Sequence, residues 1–160
     1  MGHMNVMWYT GKFDEASWVL LAHLGLTQSK LKDAHRGMAA VQQNITYKKE
    51  LHAGDVVTIR TRILDVREKV MRFVHEMIKE PTLETAAIAE LTGVHMDARR
   101  RKSIEFPPEI VANVRELISA QKEEPREVEE LVEVVPAVIG ELDTRRYTIP
   151  AGVGYTSLCE

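Results

Sequence analysis

The chain has 160 residues, a formal charge of −3 and 44% hydrophobic side chains, enough for one domain with a real core and too few for two. Mild acidity gives no field for nucleic acid or anionic lipid, and the longest basic run, Arg99-Arg100-Arg101-Lys102, is short and isolated. A single cysteine, Cys159, excludes an intrachain disulfide and a cysteine-built metal site, and points to a reducing, cytoplasmic setting. No run reaches the roughly 18 apolar residues that span a bilayer, and the start lacks the layout of a signal peptide.

The chain opens on Gly2-His3-Met4-Asn5-Val6, small and polar groups at the mouth of a helix-like stretch. Backbone N–H groups at a helix N-terminus have no intrahelical partner and attract negative charge, so this turn suits polarisation of a carbonyl. From Tyr9 the apolar residues Phe13, Ala16, Leu20 and Leu24 draw one stripe along the helix, and Gly25 supplies a stop. Residues Thr27 to Arg36 are polar and turn-like, with Leu31 as the anchor of a short helical turn.

After Gly37 the pattern becomes extended. Met38 to Glu50 reads as a strand, followed by a turn at His52-Ala53-Gly54-Asp55. Val57, Ile59 and Ile63 then alternate with Thr58, Arg60 and Arg62, the signature of a strand with one wet face. Val70 to Lys79 and Thr85 to Asp97 are two further strands, the turn Arg67-Glu68-Lys69 preceding the first. The expected order is one long helix, four consecutive antiparallel strands joined by short turns, and a second helix over Glu109 to Ala120 opened by Pro107-Pro108. Helices outside a meander mean an α+β fold. Ala86, Ala87, Ala89 and Gly93 would let a helix approach the sheet and leave room for a slender ligand. The acidic stretch from Lys122 to Glu133 marks a boundary, giving a domain over 1–121 and an acidic linker and tail over 122–160. Within the latter, Val128, Leu131, Val132 and Val135 suit a short amphipathic helix, and Arg145 to Pro150 an extended piece.

Taken together, these segments resemble the hot-dog-fold acyl-CoA thioesterases of the 4-hydroxybenzoyl-CoA thioesterase-like group. The resemblance rests on four stretches in order. Gly2-His3-Met4-Asn5-Val6 leads to Tyr9 and Phe13-Asp14-Glu15-Ala16, and Ile45-Thr46-Tyr47-Lys48 leads to Leu51-His52-Ala53-Gly54-Asp55. Arg67-Glu68-Lys69 follows, and then His95-Met96-Asp97 before Phe106-Pro107-Pro108-Glu109. The resemblance covers about residues 1 to 120. It implies an antiparallel sheet wrapped around a long central helix, thioester hydrolysis, no cofactor beyond the coenzyme A of the substrate, and an acyl-CoA site at the interface of a homodimer or of a tetramer of dimers.

In that family a catalytic Asp precedes the glycine of the opening turn by a few residues. Here its position, with the first strand of the usual sheet, would fall before Met1, so N-terminal truncation is the expectation and loss of the carboxylate the alternative. By the family's spacing Val6 supplies the carbonyl-polarising amide. His3 suits proton relay, although Gly-His-Met is also the form of a cloning remnant. Asn5 either bonds the carbonyl or caps the helix. Asp14 and Glu15 are the nearest surviving carboxylates, for substrate contact or water activation, or else simple complements of the helix dipole. Asp14 is the better catalytic candidate; Tyr9 and Glu15 are taken as substrate-binding. Arg99, Arg100 and Arg101 suit the phosphates of coenzyme A, or form a merely solvated turn. The histidines lack metal-ligand spacing, and no metal is expected. The two tryptophans and Met38, Met71, Met77 and Met96 are expected as core or interface filler, some of them walling an acyl pocket. A non-catalytic hot-dog module that binds acyl-CoA or a protein is the alternative function.

Overall fold

The computed structural model describes residues 2–123 and 145–148, with side chains up to Gln121. Helix α1 (Val6–His23) buries Tyr9, Phe13, Ala16, Leu20 and Leu21 along one stripe, as the spacing predicts. It ends in a Schellman-type motif: Gly25 N–H donates to Ala22 O at 3.0 Å and Leu26 N–H to Leu21 O at 2.8 Å, with Gly25 at φ +86°. That φ is the reason for a glycine at this position. Helix α2 (Gln28–Asp33) is the short turn expected around Leu31, which is buried, and Thr27 caps it.

Four long strands follow: β1 (Arg36–Tyr47), β2 (Val56–Val66), β3 (Val70–Glu80) and β4 (Glu84–Asp97). A two-residue β5 (Lys102–Ser103) pairs β4, helix α3 (Pro108–Glu123) comes next, and β6 (Arg145–Thr148) pairs β2 antiparallel. The sheet order is β1-β4-β3-β2-β6. This corrects the expected meander of consecutive neighbours. Strands β2, β3 and β4 do form one, but β1 crosses over to pair with β4, Gly37 opposite Met96 and Tyr47 opposite Ala87. The loop from Lys48 to Asp55 carries the crossover, held by Lys48 and Lys49 N–H bonds to Ala86 O and by the Met4 N–H bond to Leu51 O at 2.7 Å. Its predicted turn forms, with Asp55 N–H donating to His52 O and His52 N–H to the Asp55 carboxylate at 2.8 Å.

The small-residue strand β4 is therefore internal. Ala86, Ala87 and Ala89 are fully buried, and the apolar stripe of α1 packs in one core with Val57, Ile59, Ile63, Met71, Phe73, Met77 and Leu91. Each such side chain fully removed from water stabilises the fold by roughly 1.5–3 kcal/mol. Helix α3 adds Ile110 and Val114, with Leu117 and Ile118 packed against the same core. The wet face expected of β2 is drier than its alternation suggests, because Thr58 is 3% exposed and bonded to Glu80, and Arg60 and Arg62 are half-buried. Strand β1 lies at the free edge of the sheet, with a bulge between Ala40 and Gln42 that leaves Val41 exposed. The amphipathic helix proposed over Val128 to Val135, and Cys159, lie outside the described residues.

Candidate active site

The N-terminus of α1 is built by local hydrogen bonds. Asn5 adopts an extended backbone and its side-chain oxygen accepts from Met7 N–H at 2.9 Å, while its carbonyl accepts from Trp8 N–H at 3.0 Å. Of the two roles open to Asn5, the structure shows the cap, an arrangement worth about 1 kcal/mol. The Val6 amide is left with no hydrogen-bond partner among the described residues, at the positive end of the helix dipole. His3 stands half-exposed on the same turn, its Nδ1 3.3 Å from Met4 O.

Two helical turns further on, α1 faces a cleft of about 220 Å³. Thr10, Gly11, Asp14, Ser17 and Trp18 line it from the helix, Met38 to Ala40 and Gln43 from β1, and Phe73, Leu91 and Gly93 from the sheet floor. A Cβ on Gly93 would lie 3.2 Å from the Met38 methyl, so a larger residue there would push that flexible side chain aside by a few tenths of an ångström. Trp18 and Met38 thus wall a pocket, as their expected role allowed, whereas Met71 and Met77 are wholly buried core.

The structure separates the proposed site residues. Asp14 lines the cleft, exposed, and among the described residues makes no hydrogen bond or ion pair. It is the ninth residue of α1, beyond the first turn, so dipole complementarity is a poor account of it. Glu15 lies outside the cleft lining and pairs with Lys12 at 3.1 Å. Tyr9 is 4% exposed, its hydroxyl donates to Lys49 O at 3.4 Å, and its ring meets Tyr47 edge-on at 5.2 Å. It supports the crossover loop. Burial pushes its phenol pKa up.

Arg99, Arg100 and Arg101 sit exposed on the turn after β4. Asp97 organises that turn, its carboxylate accepting from the Arg99 and Arg100 N–H groups at 2.9 and 2.8 Å. The Arg99 guanidinium bonds His35, and Arg101 adopts φ +53°. From Gly93 to Asp97 is four residues of strand, about 13 Å, so the basic turn stands away from the cleft along the same β1–β4 pair.

Sequence reasoning missed a polar group beneath the cleft. His75 is fully buried on β3, its Nε2 2.9 Å from Ser17 Oγ and its Nδ1 2.7 Å from Thr61 Oγ1. Phe13 stacks on the imidazole at 6.0 Å and Phe73 meets it edge-on at 5.2 Å. Burial alone pushes its pKa down to about 3, so it is neutral at physiological pH. The available signal was the period-2 run Met71, Phe73, His75, Met77, which sets a histidine among inward-facing core residues. His95, also buried, donates its Nδ1–H to Glu105 O at 2.9 Å and stacks on Phe106; burial lowers its pKa too. Among the described residues no group of three or more His, Cys, Asp or Glu side chains could hold a metal ion, and no helix is long and apolar enough to cross a membrane.

An antiparallel sheet closed over a central helix, with an unpartnered amide at the helix mouth and a cleft along its flank, defines an α+β protein of the hot-dog architecture. The model of the thioesterase-like superfamily matches residues 1–114, and the chain belongs to that family. A bifunctional L-carnitine dehydrogenase/betainyl-CoA thioesterase from Agrobacterium fabrum is 30% identical over 124 residues, which make up 78% of this chain and 25% of that protein. The chain therefore spans about a quarter of that relative's length. The betainyl-CoA thioesterase of Pseudomonas aeruginosa is 23% identical over 121 residues, 76% of each chain. Among solved structures, a Staphylococcus aureus protein in complex with CoA superposes with a TM-score of 0.72 at 21% identity, covering 81% of this chain and 80% of that one. That likeness is one of fold.

Proposed function

We propose that this chain hydrolyses a small acyl-CoA thioester to the free acid and coenzyme A in the cleft beside α1. The single observation that carries this reading is the Asp14 carboxylate, which lines the cleft and makes no hydrogen bond or ion pair among the described residues. Membership in the thioesterase-like superfamily and two betainyl-CoA thioesterase relatives support the reaction class.

In this reading the thioester carbonyl lies against the Val6 amide, which stabilises the oxyanion by roughly 3–4 kcal/mol. Eight residues of helix, about 12 Å, separate Val6 from Asp14, so the carboxylate that takes a proton from the attacking water is Asp14 of the partner subunit, across the dimer. The carbon–sulfur bond then breaks, and the same proton returns to the coenzyme A thiolate. His3 on the opening turn is available to relay protons, and Asn5 holds the turn. Tyr9 acts through the loop it braces, and Glu15 contributes from the same helix, outside the cleft lining. Arg99, Arg100 and Arg101 take the coenzyme A phosphates on the far end of the β1–β4 pair. No metal or separate cofactor is invoked, and a reducing cytoplasmic compartment suits the lone cysteine.

The reading includes a homodimer, or a dimer of dimers. The cleft opens where β1, the free edge strand, lines it, and Val41 and Tyr47 on β1 with Val6 and Met7 on α1 leave an apolar strip exposed there. Pairing of β1 with a second copy would wall the cleft and satisfy the edge. Light scattering at micromolar concentration is expected to give a dimer or tetramer, and Val41→Lys together with Tyr47→Lys to shift it to monomer with loss of activity. A fully active monomer would remove the interface from the account.

The activity itself is tested by following thiol release from a panel of CoA esters, betainyl-CoA and neutral short-chain acyl-CoAs among them. Turnover well above the uncatalysed rate for at least one ester is expected. Binding of acyl-CoA with no release of thiol would replace the hydrolase by a binding module.

A further inference from the structure

The Ser17–His75–Thr61 chain has no place in the reaction as written above, yet its outer end lines the cleft. Its hydrogen bonds can be assigned by counting donors. Ser17 Oγ donates its one proton to Phe13 O at 2.9 Å, since a carbonyl can only accept. The His75 Nε2, 2.9 Å away, must then be the donor to Ser17, and its Nδ1 must accept from Thr61 Oγ1 at 2.7 Å. Ser17 Oγ thereby keeps one lone pair and no proton to offer. With the imidazole wholly enclosed and no charged partner among the described residues, this chain is rigid and neutral, unsuited to activating serine as a nucleophile.

Ser17 follows Asp14 by three residues, so both stand on one face of α1, with Cβ atoms roughly 5–6 Å apart. Both line the cleft. Two acceptors at that spacing, a carboxylate and a hydroxyl whose proton is already committed, can each take one hydrogen of a single water. The oxygen lone pair is then left pointing away from the helix face. We propose that Ser17 holds the hydrolytic water against Asp14, and that buried His75 and Thr61 are positioning residues that fix Ser17 as an acceptor. During attack the water's oxygen bonds to the carbonyl carbon, one hydrogen passes to Asp14 and the other stays on the product acid, donated to Ser17. The proton on Asp14 leaves with the thiolate as the carbon–sulfur bond breaks.

This inference rests on the hydrolase reading, and its test separates the two. On the resting protein, 15N NMR of labelled histidine reads the tautomer of His75 without any substrate, and the Nε2–H form is expected. In steady-state kinetics Ser17→Ala is expected to lower kcat by roughly 10- to 100-fold with KM within about twofold, as loss of nucleophile positioning does. Ser17→Thr, which keeps the hydroxyl, is expected to stay within about fivefold of wild type. Thr61→Val should lower kcat and allow the Nδ1–H tautomer to appear. An Nδ1–H tautomer in the wild type, or Ser17→Ala turning over at the wild-type rate, would overturn the role of Ser17 and leave hydrolysis standing. A wild-type protein that turns over no ester overturns the hydrolase reading, and this role with it.

Discussion

Asp14→Asn is expected to lower kcat by about 10²- to 10⁴-fold, the range over which a positioned general base acts, while KM changes little. The side chain lines the cleft and makes no hydrogen bond or ion pair among the described residues, so its replacement by an isosteric amide removes no such contact. Asparagine keeps the shape and an acceptor oxygen, but it cannot take the proton that water must lose. An interaction made only in the transition state shows this split, with kcat and kcat/KM falling together. Melting temperature should be unchanged, because Asp14 is exposed and lies beyond the helix turn in which the dipole acts. The kinetic parameters of the two proteins on one good ester check it. A loss confined to KM would make Asp14 a binding residue instead.

The second large effect concerns stability against pH. His75 is held neutral in the folded protein, its pKa pushed down to about 3 by burial, against an ordinary value near 6.5 in the unfolded chain. The folded pKa is the lower one, so the unfolded state binds the proton first as pH falls. The contribution is therefore fully present above about pH 6.5 and is lost progressively below it. The loss approaches about 1.4 kcal/mol for each pH unit below the unfolded value. His95, also lowered by burial, adds with the same sign. Urea unfolding midpoints should consequently drop steeply between pH 7 and pH 5, above the range in which ordinary carboxylates titrate. His75→Gln, an uncharged replacement, should flatten that dependence if it folds, and His75-labelled NMR titration should show no protonation in the native state over the same range. A midpoint independent of pH down to 5 would contradict the enclosed, neutral state of this imidazole.

Much of the scaffold was legible because it follows local rules. The α1 stripe, the Gly25 stop, the turn at His52 to Asp55 and the proline-opened α3 each depend on neighbours in sequence, and each stands where the pattern puts it. Strand partners do not. Alternation in β1 and β2 marks two strands but cannot say that the loop between them carries the chain across the sheet to β4. Small residues at Ala87, Ala89 and Gly93 were visible as a place for close approach, and they stand on a strand internal to the sheet. At the site, the Val6 amide follows from the family resemblance, and Asp14 from being one of the nearest carboxylates on the helix. Ser17 was overlooked although it shares a face with Asp14, since serine on a helix has many uses. His75 offers only the absence of metal-ligand spacing in the sequence, because its partners lie 14 and 58 residues away in the chain. A buried polar chain of that kind is a property of packing.

The claim that the thioester carbonyl meets the mouth of α1 is tested most directly by binding a hydrolysis-resistant analogue, an acyl-CoA in which a methylene ketone replaces the thioester, and following the backbone amides by NMR. The account predicts that the Val6 N–H moves strongly downfield as it gains a hydrogen bond, with accompanying shifts at Gly11, Asp14, Ser17 and Gly93. Saturation of the protein with an analogue that leaves the Val6 amide unmoved and shifts resonances elsewhere would contradict it.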